Sequence, residues 1–289
     1  MKFKKIELKD FDTIKKILNN YTGRICDISP ANLVLWRDYY DISYYLGEDG
    51  YAFRFGDMDN TVSYYCEARK ELAQKIIAYE GGSACFSCLA PSELEFFRQN
   101  FDIDDPIHSR DWDDYIYNSS DIIGLGGRRY SGQRNHINKF NKLYPDAVFE
   151  EINDANIEAV KAFNHGYFHE FGNEKAKVAE YEEKYLDEQL DNLDIYSQCT
   201  GVLKVSGEVV GFSIGEIVGK TLIVHTEKAN TKINGVYPAL VNRFAKKYAA
   251  DTLYINREED CGEAGLRTSK LSYHPIEILE KYALVAKLK

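Results

Sequence analysis

Apolar and polar positions along the chain follow two periods. Ser43 to Leu46, Tyr51 to Phe55 and Thr61 to Cys66 are short runs rich in aromatic and β-branched residues. They are separated by the turn signals Glu48-Asp49-Gly50 and Gly56 to Asn60, a pattern that predicts three strands in a meander. A helix from about Glu67 to Tyr79, a strand from Ala84 to Leu89, a helix from Pro91 to about Asn100 and a strand from Asp113 to Tyr117 are expected next. The later part of the chain spells the same order. Gly201 to Val205, Val209 to Val218 and Thr221 to Lys228 read as strands. The helix Tyr237 to Ala249 follows, with Leu240, Phe244 and Tyr248 on one face. A strand at Thr252 to Asn256, a helix at Gly262 to Ser272 and a strand at Tyr282 to Leu288 complete it. Helical stretches precede each series, at Asp10 to Asn20 and Ser29 to Tyr39, and at Asn153 to His169 and Tyr181 to Leu193. The repeat is one of pattern, without visible sequence identity. It predicts mixed α/β (α+β) architecture in two domains, 1–130 and 131–289. Each would hold a mixed, mostly antiparallel sheet flanked by helices, with a basic helix, 133–143, at the junction.

Composition narrows the function classes. The chain has 289 residues, 44% hydrophobic and 13% aromatic, enough for packed cores. A net charge of −10 argues against a DNA-coating protein. Within it lies a positive island: from Asp121 to Lys142, Arg128, Arg129, Arg134, Lys139 and Lys142 face the single acid Asp121, a net of +4. No stretch approaches the roughly 20 apolar residues of a membrane span, and the N-terminus lacks a signal-peptide core, so the expected compartment is the cytoplasm. Cys85 and Cys88 form a C-x-x-C in the expected strand ACFSCLA. On a regular strand they point to opposite faces, so no metal site is expected.

Two polar clusters carry the candidate chemistry. In the basic helix, Asn135, Lys139 and Lys142 form one stripe and Ile137, Phe140 and Tyr144 another. The apolar stripe is core. The polar one, with Arg128, Arg129 and Arg134 ahead of it, suits phosphates or carboxylates, although a solvated helix has the same pattern. The second cluster is YINREED, Tyr254 to Asp260, followed by GLRTSKLSYHP, Gly265 to Pro275. Arg267 and Lys270 share a face at i, i+3. Of the acids Glu258, Glu259 and Asp260, only one or two can face a pocket. On the strand Thr221 to Lys228, His225 and Glu227 share a face, with Glu216 as a cross-strand neighbour. That trio could remove a proton from an attacking amine, and a hydrogen-bonded sheet histidine is the bland alternative.

The element order resembles the acyl-CoA N-acyltransferase (GNAT) fold, here in tandem. The strings G-x-R-N-H-I-N-K-F from Gly132, Y-I-N-R-E-E-D from Tyr254 and G-L-R-x-x-K-L-S-Y-H-P from Gly265 are similar to the phosphatidylglycerol lysyltransferase C-terminal domain family, as is Cys26 to Tyr40. The resemblance implies transfer of an aminoacyl group from a charged tRNA to a small-molecule, peptide or lipid-headgroup acceptor. Substrate-binding residues are then expected among Arg128, Arg129, Arg134, Asn135, His136, Asn138, Lys139, Asn256, Arg257, Glu258, Arg267, Lys270 and Tyr273, with Glu227, His225 and Glu216 catalytic. The counterpart of the GNAT pyrophosphate loop is Lys232 to Tyr237. Lys232 and Gly235 match it in type, while Tyr237 replaces a small residue and counts against coenzyme A. An acyl-CoA N-acyltransferase acting on a small amine stays open, as does a non-catalytic ligand-binding protein that kept the fold. The co-substrate is accordingly aminoacyl-tRNA or acyl-CoA.

Overall fold

The computed structural model describes residues 1–56, 61–171, 177–196 and 198–289, with side chains at 168–171 and 177–180 left aside. In chain order the elements are β1 (Lys4–Lys5), α1 (Phe11–Ile17), α2 (Pro30–Leu35), β2 (Ser43–Gly47), β3 (Gly50–Gly56), β4 (Val62–Cys66), α3 (Lys70–Tyr79), β5 (Ser83–Leu89), α4 (Pro91–Asn100), β6 (Asp102–Ile103), β7 (Ile107–His108) and β8 (Asp114–Asn118). There follow α5 (Ser119–Gly124), α6 (Ser131–Leu143), β9 (Val148–Glu150), α7 (Ile157–Phe171), α8 (Lys177–Asp191), α9 (Leu193–Tyr196), β10 (Cys199–Val205), β11 (Glu208–Val218), β12 (Thr221–Ala229), α10 (Val236–Tyr248), β13 (Tyr254–Asn256), α11 (Ala264–Leu271), β14 (Glu277–Leu279) and β15 (Tyr282–Lys287). Local chemistry explains the ends. Ser29 accepts from the Asn32 amide ahead of Pro30, starting α2, and Glu93 reaches back to the Ala90 amide at 2.8 Å, starting α4.

The strands form two sheets of one plan. The first runs β1-β2-β3-β4-β5-β15-β6, with β7 also on β15, and the second runs β14-β8-β13-β12-β11-β10-β9. Two neighbouring pairs, β4–β5 and β12–β13, are parallel. The expected order of elements is present in both halves, but the last strand of each half is exchanged. β8 pairs with β13, and β15 pairs with β5. The compact units are therefore Met1–Asp114 with Glu259–Arg267 and Ile278–Lys289, and Tyr115–Glu258 with Thr268–Glu277. This replaces the expected division at residue 130. Strand periodicity reports which residues alternate. It is blind to which of two similar edges a strand joins.

In the second unit the sheet is covered on both faces. Phe140, Leu203, Val210, Ala229 and Leu240 form one core, and Val160, Leu186, Val202, Phe212 and Ile214 the other. The neighbours Val202 and Leu203 fall on opposite sides, as alternation requires. The inward stripe of α6 is as expected: Phe140 is fully buried, and Ile137 and Tyr144 are half-buried.

Candidate functional site

In the second unit, pairing between β12 and β13 ends at Ile223 and Asn256, while β12 continues beside β11 to Ala229. The β11–β12 register steps from Ile214↔Thr226 to Gly215↔Val224, so His225 is the extra residue of a bulge. Gly215 permits it, since an added Cβ would overlap the Ile223 carbonyl oxygen. The bulge breaks the alternation on which the expected trio rested. His225 and Glu216 do come together, with Nε2 3.2 Å from Glu216 Oε1 and Nδ1 2.8 Å from Glu258 Oε1. Glu227 goes elsewhere: its Oε2 accepts from Arg257 Nε at 2.9 Å and Nη2 at 2.5 Å.

These contacts set the protonation chemistry. Burial alone pulls the His225 imidazole down. Hydrogen bonds to Glu216 and Glu258, together with their charges, outweigh it and raise the ring to about 9. At neutral pH the ring is an imidazolium donating through both nitrogens, so it cannot also take a proton as a base. Arg257 is 6% exposed at its side chain and lies over the rings of Tyr273 and Tyr117, at 4.8 and 5.9 Å from their centroids. Its Nη1 is buried without a hydrogen-bond partner among the described residues. The space beside the pair is a cavity of about 10 Å³ bounded by Leu222, Val224, Glu227, Val241, Ile255 and Arg257, room for a single water.

The turn after β13 is strained. Glu258 (φ +55°), Cys261 (φ +49°) and Gly262 (φ +77°) are all left-handed, and each non-glycine residue there costs about 1–2 kcal/mol. Buried Asn256 holds the turn, its Oδ1 accepting from the Glu258 amide at 2.6 Å. Tyr273 supports it through the Arg257 guanidinium. Both residues, expected to bind substrate, are thus engaged in holding the turn.

The next two acids of the same turn belong to the first unit. Fully buried Asp260 accepts from Arg267 Nε at 2.9 Å and Nη2 at 2.7 Å, and Arg267 also reaches Asp111 at 2.6 Å. Arg267, expected as a ligand-binding cation, is thus paired with two carboxylates within the protein. Its expected companion Lys270, in the second unit, holds its ammonium 5.7 Å from the centre of the Tyr115 ring. Glu259 joins a cluster around Lys281, whose Nζ lies 2.7 Å from Asp27, 3.0 Å from Asp114, 3.3 Å from Glu259 and 3.7 Å from Cys26 Sγ. Cys26 donates to Asp114 through its amide at 2.8 Å and its thiol at 3.1 Å. The ligand atoms of Cys26, Asp114 and Glu259 lie within 4.8 Å of one another, a spacing that would suit a metal, but the cation among them is the ammonium. Burial pulls Lys281 down, and the surrounding acids more than restore it, leaving it well above its ordinary value. Sequence reasoning missed this cluster because its members come from four distant segments.

The Lys232–Tyr237 loop precedes α10. Gly235 is left-handed (φ +81°), and a Cβ there would overlap the His136 carbonyl oxygen and lie 3.1 Å from Phe140 Cβ. The glycine expected to face a phosphate therefore lets α6 approach. Tyr237 shares a hydrogen bond of 3.0 Å with Tyr167, hydroxyl to hydroxyl, and Lys232 is exposed. Gly235→Ala is expected to lose about 1–2 kcal/mol to backbone strain and a further 1–3 or so to overpacking against α6. Urea denaturation checks this: an unchanged midpoint would mean that α6 does not rest on this glycine.

Of the basic island, Arg128, Asn135, His136, Asn138, Lys139 and Lys142 are exposed. Arg129 pairs with Asp121 at 2.8 Å, and Arg134 turns inward to the carbonyls of Leu125 and Gly127. Exposed His274 lies 3.0 Å from the Arg129 carbonyl oxygen.

Two sheets of one plan, each with a parallel central pair, define a tandem GNAT-like fold. The chain matches the family described as phosphatidylglycerol lysyltransferase, C-terminal, over residues 19–285. It belongs to that family and is lysyltransferase-like. A conserved protein of unknown function from Bacteroides thetaiotaomicron is 31% identical, with 99% of each chain covered and a TM-score of 0.90. The C-terminal domain of a putative lysylphosphatidylglycerol synthetase from Agrobacterium fabrum and L-PGS from Bacillus licheniformis share the fold, with TM-scores of 0.69 and 0.62. Each is 13% identical, with 96% of this chain and 91% of the other covered. An uncharacterized protein of Mycoplasmoides gallisepticum is 22% identical over 196 residues, 66% of this chain and 61% of that protein. The match thus spans less than two thirds of that relative's length. Among the described residues no helix is long and apolar enough to cross a membrane.

Proposed function

We propose that the protein transfers an aminoacyl group from aminoacyl-tRNA to an amine or hydroxyl acceptor, by direct attack and without a covalent enzyme intermediate. The acceptor class remains that of the sequence reading: a small molecule, a peptide or a lipid headgroup. The choice of donor rests on the space between β12 and β13. An extended pantetheine arm needs an open slot there, and Glu227 and Arg257 bridge it beside a cavity of about 10 Å³. The glycine that would let a pyrophosphate approach is covered by α6. A charged tRNA brings its phosphates along its own strand, and exposed Arg128, Lys139 and Lys142 suit them.

In this reading the acceptor attacks the ester carbonyl carbon, the carbonyl electron pair moves to oxygen, and the ribose oxygen leaves with a proton. Orientation supplies much of the rate. Of the side chains around the bulge, Glu216 and Glu258 are carboxylates held in place by the His225 imidazolium, and they are the candidates to receive the acceptor proton. Purified protein mixed with charged tRNA should form a complex whose affinity falls with salt. Three exposed cations give a slope of about −2 to −3 in log K against log salt. Calorimetry with acetyl-CoA should show no heat. Saturable acetyl-CoA binding together with no charged-tRNA binding at low salt would overturn the reading.

A further inference from the structure

On the face of the second unit's sheet that carries Phe212 and Ile214 lies a polar group that the sequence did not signal. Lys228 lies near the end of β12 with its side chain 8% exposed. Its Nζ donates to Asn164 Oδ1 on α7 at 3.1 Å and pairs with Glu182 Oε1 on α8 at 3.0 Å. The ammonium also stands 5.7 Å from the centre of the Tyr167 ring, whose hydroxyl meets that of Tyr237. Asn164 is 0% exposed, and its Nδ2 has no hydrogen-bond partner among the described residues. Such a buried amide group costs about 1–3 kcal/mol when left unpaired. Nδ2 is a donor, so a ligand atom that meets it is an acceptor, such as an oxygen. Because Asn164 Oδ1 already binds Lys228, an oxygen on Nδ2 also falls near the ammonium.

The surroundings specify what carries that oxygen. Glu182, Glu183 and Asp187 all act electrostatically on Lys228, and Asp187 also pairs with His165 at 2.7 Å. Carboxylates thus outnumber the ammonium, even with Asp187 shared with His165, which disfavours a simple anion. Glu182, 39% exposed, marks the solvent side. We propose that Lys228, Asn164 and Glu182 form a binding subsite for an α-amino-acyl group, a carbonyl oxygen on Asn164 and Lys228 with an ammonium beside Glu182. This rests on the aminoacyl-transfer reading and assigns it residues. Net charge should rank the ligands. Amino acid amides and esters (+1) bind more tightly than free amino acids, and N-acetylated amides, which lack the ammonium, do not bind.

Calorimetry with the twenty L-amino acid amides tests the subsite without tRNA. At least one amide should bind, its free acid several-fold more weakly and its N-acetyl form not at all. Asn164→Asp keeps the oxygen that Lys228 needs and removes the orphan donor. Asn164→Leu is a second variant, and both are checked by circular dichroism and melting. Each folded variant should lose tenfold or more in affinity. No binding of any amide at millimolar concentration, or unchanged affinity in both variants, would overturn the subsite. Charged-tRNA binding by the same preparations separates the two readings. An amide bound through Asn164 with no tRNA bound supports the subsite and removes the tRNA donor. Transfer from tRNA with an unchanged KM in the Asn164 variants retains the donor and removes the subsite.

Discussion

Lys281→Met is expected to be the most damaging single substitution in the first unit. It leaves Asp114, which is fully buried, with the partly buried Asp27 and Glu259 around an apolar side chain that cannot answer their charge. Removing one partner of a buried ion pair costs about 3–5 kcal/mol, since the remaining charge is stranded away from water. Three carboxylates place this case toward the upper end. Urea or thermal denaturation should show the loss, and K281M combined with Asp114→Asn should recover part of it, because the deepest carboxylate is then neutral. A loss below about 1 kcal/mol would mean that the cluster is hydrated and contributes little. The same variant should leave the Lys228 subsite unchanged, because the two groups share no residue.

The second large effect is a pH dependence. His225 titrates at about 9 in the folded protein against an ordinary 6.5. A group raised on folding stabilises fully below its unfolded pKa and loses that contribution as pH rises through the folded one. The window is therefore pH 6.5 to about 9. Across it the protein should lose on the order of 3 kcal/mol, at 1.36 kcal/mol per unit of difference. His225→Gln should be less stable at pH 6 and flatter between pH 6.5 and 9.5. A wild-type melting temperature that is level across that window would show that the ring is neutral throughout, and the carboxylates would then have to be held in some other way. Activity, where found, should fall over the same range if Glu216 and Glu258 act only while the imidazolium orients them.

Much of the fold was legible. The strand runs of both halves, the α6 stripe of Ile137, Phe140 and Tyr144, and the start of α10 near Tyr237 rest on local periods and local sterics, which a sequence displays directly. The tandem pattern and the family strings were legible for the same reason. The site was less so. The pairing of His225 with Glu227 followed correctly from alternation, and one extra residue in β12 undid it. Arg257, Glu258, Glu259 and Asp260 looked like a block competing for one pocket. The left-handed turn at Glu258 and Cys261 instead sends each to its own partner. Arg267 and Arg134 had the chemistry of anion binders, but two acids and two carbonyls within the chain hold them.

By itself the sequence determined the inventory: two rounds of the same strands and helices, a positive island on an acidic chain, and motifs of one transferase family. These are consequences of hydrogen-bond periodicity and side-chain burial over a few residues. Only the tertiary structure decided that the last strands are exchanged, that Lys281 draws four segments together, and that Asn164 is buried with a donor unmet among the described residues. Each of those depends on contacts between residues tens to hundreds of positions apart. Such contacts are set by packing energies summed over the whole core, and no local period records them.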